Sequence, residues 1–442
     1  MTVTPGGAVA PRAWVILGAL VAATILSYVD RTILSLLVTP IRADLKINDL
    51  QMGLLMGPTF AVFFALMGAP LGWAADRVDR LRLAAVGVAL WSLATALSGL
   101  SHEYWQLLLA RVGVAVGEAV LLPTATSLVA DSFTAQVRTR RVGVLGMAIY
   151  WGSSAALLVG GLLIATVTRL VDVEGFVAGF RPWQLVLITV AAPGLLVSAV
   201  LAILPEPKRT VQSKASAIPS FVRSSIASSL LERALLYIAF GLMAVVGYSV
   251  TAWAPTHLIR AFGWSAAQAG VGLGTGLILA ATLAIWAATT IADRLAARGR
   301  HDAKYLVALG CTLIALPFGI ALTWLTQPIA FILAACVAMA AAAACIAMGP
   351  LAAAELSSAH ARGRAVGVYQ MCVGLIGAGI GPPAVAAAAH FGTKAAGLGL
   401  GLTIVTSTGF AVAALIFWSR HMAFGRAARD VQVVEKKASQ FT

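Results

Sequence analysis

Residues 13–39 read AWVILGALVAATILSYVDRTILSLLVT, an apolar run broken by charge only at the adjacent pair Asp30-Arg31. About 20 apolar residues in a helix are enough to cross the hydrocarbon core of a bilayer, so this run spans a membrane. An ionised side chain near the centre of such a helix costs about 2.5–3.5 kcal/mol on insertion scales. Two opposite charges side by side at that depth mark a functional site, within the stretch Ser27-Tyr28-Val29-Asp30-Arg31.

The rest of the chain repeats the pattern. Hydrophobic residues make up 60% and charged residues 11%, with a mean hydropathy of +0.92. A soluble domain carries about 25% charged residues, which excludes that class. Twelve runs of spanning length fall at 13–39, 52–74, 82–100, 104–130, 141–168, 182–204, 233–255, 268–291, 303–325, 329–352, 365–390 and 397–418. The fold expected is an all-α membrane protein with twelve transmembrane helices in two six-helix halves. The halves are residues 1–204 and 233–420, joined by a central loop at 205–232 rich in proline, serine and basic residues and followed by a tail at 421–442. The first run is too long for the core of a signal peptide and is expected to stay as an anchor.

The net charge of +14 reflects orientation. Of the 31 basic residues, 23 fall in the tails and the loops on the side of the amino terminus, and six in the opposite loops. Arg31 and Arg111 account for the other two, inside spans. Basic loops stay on the cytoplasmic side, so both termini are expected in the cytoplasm of a multi-pass protein of the inner or plasma membrane. This distribution implies attraction to membrane lipid and no nucleic-acid partner. Cys311, Cys336, Cys345 and Cys372 all lie in apolar spans without metal-ligand spacing, as small buried residues would. Glycine clusters at 272–276 and 374–381 follow no strand, so they are not nucleotide loops. No cofactor and no metal are expected.

The two halves echo one another. Gly72-Trp73-Ala74-Ala75-Asp76-Arg77, with Arg80 and Arg82 beyond, is matched by Asp293-Arg294 with Arg298 and Arg300. Asp131, Arg138, Arg140 and Val142-Gly143-Val144 recur as Glu355, Arg362, Arg364 and Val366-Gly367-Val368, at a constant offset of 224 residues. Equal order and orientation in both copies signal parallel repeats.

On these residues the chain resembles a major facilitator superfamily transporter over nearly its whole length. The Gly72…Asp76-Arg77…Arg80…Arg82 loop is similar to that superfamily's signature, and the second copy departs from it at Thr289. Tyr28-Val29-Asp30-Arg31 together with Arg111-Val112-Gly113, Gly117-Glu118-Ala119, Pro123-Thr124 and Ala130-Asp131-Ser132-Phe133 resembles the spinster-like group. That resemblance implies proton-linked movement of lysophospholipids or sphingosine-type lipids by a monomer. Organic-anion:proton symporters carry similar pieces and are the alternative within transport. Gly143, Gly152, Gly160 and Gly161 partly match the antiporter motif, with Ala156-Leu157 where that motif has Gly-Pro. The resemblance also implies an inner gate built from Gly72, Asp76, Arg77, Arg80, Arg82, Asp131, Arg138 and Arg140 in one half. Asp293, Arg294, Glu355, Arg362 and Arg364 are the counterparts. Asp76 is expected to meet the helix eleven start near Gly367 and Arg138, with Asp293 and Arg140 as the mirrored pair.

The chemistry expected inside the membrane rests on Asp30, Arg111 and Glu118. Arg111 and Glu118 are two helical turns apart and share a face. Counting from the outer ends of their spans places Asp30 level with Arg111, as an ion pair, and Glu118 deeper. Glu118 is then the less compensated carboxylate and a proton carrier. Arg31 and Arg111 stay charged and suit a phosphate or carboxylate head group. The second half is nearly free of charge in its spans. Its polar inventory is Tyr237, Tyr248, Thr251, Tyr369 and Gln370, among many alanines, glycines and methionines. Arg31, Arg111, Glu118, Tyr248, Tyr369, Gln370 and Met371 are the expected solute contacts. A charged wall facing an apolar wall suits an amphipathic solute. A membrane-embedded lipid-modifying enzyme would need a similar pocket, but not duplicated gate loops.

Overall fold

The structure is a computed structural model, and it describes residues 11–174, 179–207, 209, 230–300, 302–356, 362–392 and 397–438. The first half contains α1 (Pro11–Leu45), α2 (Asp49–Met56), α3 (Pro58–Ala75), α4 (Arg80–Ser98), α5 (Tyr104–Glu118), α6 (Leu121–Ser132), α7 (Ala135–Glu174) and α8 (Pro182–Ile203). The second contains α9 (Leu230–Phe262), α10 (Ala266–Ala297), α11 (Ala303–Ala321), α12 (Pro328–Glu355), α13 (Arg362–Ala389) and α14 (Gly397–Ala438). They make twelve candidate membrane crossings, with α2–α3 and α5–α6 each forming one. Helices are forced on such sequences, because lipid offers no partner for a free backbone N–H or C=O.

Two crossings are interrupted, each for a local reason. Pro58 opens α3 as its first residue, and Gly57 before it takes φ −113°, ψ −94°, outside the helical region. In the fourth crossing Pro123 has no N–H to offer the carbonyl of Ala119. The helix accordingly ends at Glu118 and restarts at Leu121.

Proline does not break every helix. α1 continues past Thr39 through Pro40 to Leu45, so Asp30 lies midway along it and deeper than the sequence count placed it. Pro382 and Pro383 sit inside α13, which runs on from Arg362 to Ala389. The Pro382 carbonyl accepts the Trp253 indole N–H at 2.8 Å. Residues 210–229 of the central loop lie outside the described residues, and α9 is described from Leu230 onward.

With twelve crossings, the start of α1 and the end of α14 share one face of the bundle, here the terminal face; the other is the far face. The halves meet through the far side. One apolar core runs through the second half and takes in Ile33–Val38, Leu157 and Trp183 of the first. The terminal part of the first half has a separate core around Leu20, Trp91 and Leu128. At the far face, α2 and α13 approach so closely that a Cβ on Gly57 would lie 2.4 Å from the Ala378 carbonyl oxygen. Gly161 of α7 meets the Ala266 carbonyl of α10 in the same manner, at 2.8 Å. Thr256 donates to the Ser35 carbonyl at 3.1 Å, and Arg260 clasps both oxygens of Asp49 at 3.0 and 2.9 Å. Toward the terminal face the relation reverses. Gly143 and Gly146 of α7, and Gly367 and Gly374 of α13, have open space where a side chain would stand. Among the described residues the halves therefore meet closely at the far face, while these four glycines toward the terminal face have no neighbour from the other half.

Candidate functional site

The site is assembled where α1 crosses α5. Ser27, Asp30 and Arg31 occupy successive positions of one α1 face, and Arg111 and Glu118 face them from two turns of α5. Glu118 is the last residue of α5, next to the break made by Pro123. Asp30, Arg111 and Glu118 are buried, at 3%, 3% and 1% exposure. Ionised groups so far from water persist only when paired and hydrogen-bonded.

The pairing differs from the expected one. Glu118 is held by Arg31, whose Nη2 and Nε reach Oε2 at 2.5 and 2.6 Å. Ser27 donates to the same oxygen at 2.6 Å. Arg111 does not form the expected ion pair with the Asp30 carboxylate; its Nη1 reaches the Asp30 main-chain carbonyl at 3.5 Å. The Asp30 side chain accepts instead from Thr95 of α4 at 3.1 Å. One oxygen of each carboxylate, Asp30 Oδ1 and Glu118 Oε1, has no hydrogen-bond partner, and neither does Arg111 Nε. The count that set Asp30 level with Arg111 took α1 to end at Thr39, whereas it runs to Leu45, and it is Arg31 that meets Glu118.

Aromatic rings complete the surroundings of Arg31. Its guanidinium lies 4.1 Å from the Phe60 ring centre, 4.7 Å from Tyr28 and 5.1 Å from Phe64. Such contacts are worth about 0.5–2 kcal/mol each when desolvated. Phe60 and Phe64 went unmarked in the sequence reading, although their four-residue spacing puts them on one face of α3. Thr95 was also missed, since a threonine in an apolar span carries no signal of its own, and Ser27, though inside the marked stretch, was given no role.

The second half contributes Tyr248 of α9, which lies within electrostatic range of Tyr28, Arg31 and Tyr150. Tyr369, expected to touch the solute, is fully buried in its own half. It packs edge-on against Tyr237 and Phe240 and donates to the Ile346 carbonyl at 3.2 Å. Gly349 makes the room for its ring. Gln370 and Met371 are exposed.

Among the described residues the expected contacts of Asp76 with Gly367 and Arg138, and of Asp293 with Arg140, are not made. Asp76 is exposed, and its main-chain carbonyl accepts from Arg209 of the central loop. Arg138 donates to the Ala130 carbonyl at 2.6 Å, and Arg140, Asp293 and Arg294 are exposed. Gly72 is partly covered, Arg77 stacks on its own Trp73 at 3.8 Å, and Arg82 is exposed. Among the described gate residues only Arg80 is deeply buried, pairing at 2.5 Å with both Asp131 and Glu206. Glu355 pairs with Lys304. The side chains of Arg362 and Arg364 lie outside the described residues. The gate contacts that are made, by Arg80, Asp131, Arg138 and Glu355, stay within their own half.

Comparison with known proteins places this geometry in context. The Major Facilitator Superfamily family model matches residues 20–382. An MFS-type efflux pump of Mycolicibacterium smegmatis is 34% identical over 312 residues, covering 69% of this chain and 68% of that protein. Protein spinster homolog 1 of Mus musculus is 31% identical over 247 residues, 53% of this chain, and the match spans 44% of that protein. Among solved structures, a bacterial homolog to the human lysosomal transporter spinster, in an inward-facing and unoccupied conformation, superposes with a TM-score of 0.79. The two are 26% identical, and the superposition covers 95% of this chain and 98% of the other.

Proposed function

The chain belongs to the Major Facilitator Superfamily and is a transporter, and from that premise we propose that it moves an amphipathic lipid, of the lysophospholipid or sphingosine type, by proton-coupled alternating access. The observation that carries this reading is the asymmetry of the cleft. One wall holds two guanidiniums and two carboxylates within a ring of aromatics. From the other half Tyr248 comes within range of Arg31, and the spans around it are mostly apolar. An anionic or zwitterionic head group would exchange places with Glu118 on Arg31, while an alkyl chain lies along the apolar wall. The likeness to a bacterial spinster homolog supports the spinster-like resemblance on which the lipid assignment rests.

Coupling follows from shared guanidiniums. A head group arriving at Arg31 releases Glu118, and a released buried carboxylate is stable only when it takes up a proton. Substrate and proton are then linked through one ion pair. The excess of basic residues in the loops of the terminal face supports a cytoplasmic orientation for that face and both termini. A cysteine at Ser213 should accordingly resist a membrane-impermeant reagent applied to intact cells.

The efflux-pump relative favours a second reading, export of amphipathic small molecules of other kinds. Both are tested in proteoliposomes offered a lysophospholipid, a sphingoid base, a hydrophobic dye or a small carboxylate. Uptake of the first two under a proton gradient supports the proposal. Uptake of the dye alone supports efflux, and uptake of the carboxylate alone makes the chain an organic-anion symporter.

A further inference from the structure

We infer that Ser27 and Thr95 are positioning residues that favour the charged form of the two buried carboxylates by donating to one oxygen of each, and so set the pH at which they take a proton; this rests on the proton-coupled reading above. The two acids are dressed alike. Glu118 Oε2 accepts from Ser27 and Arg31, while Oε1 has no partner. Asp30 Oδ2 accepts from Thr95, while Oδ1 has no partner. An oxygen whose lone pairs are engaged by donors is a poor proton acceptor, so each donor favours the charged form of its carboxylate.

The hydroxyls give up something to do this. A serine or threonine inside a membrane helix ordinarily donates to the carbonyl one turn back. Thr24 does so to Leu20, Ser98 to Ala94 and Thr124 to Val120. Ser27 and Thr95, buried at 2% and 1% exposure, turn to a carboxylate on a different helix instead. Neither hydroxyl ionises in the accessible range, so each sets the pH of proton uptake without carrying the proton. The ionisable groups facing the acids are Arg31 and Tyr28 of α1 and Arg111 of α5. From the elements packed beside them come Tyr150 of α7 and Tyr248 of α9.

A donor to a carboxylate favours its charged form, so losing the donor favours protonation. Hydrogen bonds to charged groups are strong enough to move the midpoint by about one pH unit. The test uses the full chain in nanodiscs without substrate. Spin labels across the far face report the distance between halves as pH is varied. Ser27→Ala and Thr95→Val should each move the midpoint upward by about one unit, while Ser27→Thr and Thr95→Ser, which keep the hydroxyl, should follow the parent. A purely packing role would change the melting temperature and leave the midpoint in place. Unmoved midpoints in Ser27→Ala and Thr95→Val, with a parent that responds to pH, overturn the inference and leave the coupling reading standing. A parent without any pH response, or an unaltered response in Asp30→Asn/Glu118→Gln, overturns both. If Thr95→Val does not fold, Ser27→Ala decides alone.

Discussion

Arg31 meets Glu118 at 2.5 Å across the crossing of α1 and α5. Removing one partner of a buried ion pair leaves an uncompensated charge and costs about 3–5 kcal/mol. Arg31→Ala should therefore lower the melting temperature sharply and abolish transport. Adding Glu118→Gln should restore most of the stability and none of the transport. Recovery of transport in the double variant, measured in proteoliposomes, would mean the pair is structural only.

At the far face Asp49 is shared between Arg260 of the other half and Arg42 of its own. These side chains are about a quarter exposed, where an ion pair is worth roughly 1 kcal/mol at most. Asp49→Asn should raise the population open at the far face by up to about five-fold, read as a longer distance between labels on α2 and α9. An unchanged distance distribution would remove this pair from the gating account.

Gly57 offers a sharper intervention. A Cβ there would lie 2.4 Å from the Ala378 carbonyl oxygen, on backbone that cannot give way. Gly57→Val should hold α2 and α13 apart, keep the far face from closing and stop turnover while leaving the folded helices intact. Normal transport by this variant would show that the close approach is not needed.

Outside the spans, Asp302 provides a pH prediction. Arg300 holds its carboxyl below the usual carboxylate range through a bidentate pair at 2.9 and 3.1 Å, with His421 at 2.5 Å adding to the effect against partial burial. A carboxyl depressed in the folded state stabilises the fold above its unfolded value, near 3.9, and that contribution is lost as pH falls through the folded value. Melting curves of the parent and Asp302→Asn should therefore differ by a constant amount from neutrality down to about pH 4 and converge below it. A gap that stays constant to pH 2 would rule out this group as the source.

The helices and their doubling were legible because apolar length and a fixed offset of 224 residues are properties of the chain alone. So was the membership of Asp30, Arg31, Arg111 and Glu118 in one site, since buried charges have nowhere else to go. Who pairs with whom was not legible. It depends on how far α1 continues past Thr39, and Pro40 concealed that continuation. The gate residues were recognised as charged loop positions, but their partners depend on which face of the cleft is open. The breaks at Gly57 and after Glu118 were readable from Pro58 and Pro123, whose missing N–H groups act locally.

The central claim is that Asp30 and Glu118 together couple protons to the movement of an amphipathic lipid. It is tested by lysophospholipid transport into proteoliposomes as a function of pH, parent against Asp30→Asn/Glu118→Gln. The account predicts that the parent's rate rises with an imposed proton gradient and that the double variant shows no dependence on pH or gradient. A double variant that responds to pH as the parent does would contradict it, because the proton would then travel by other residues.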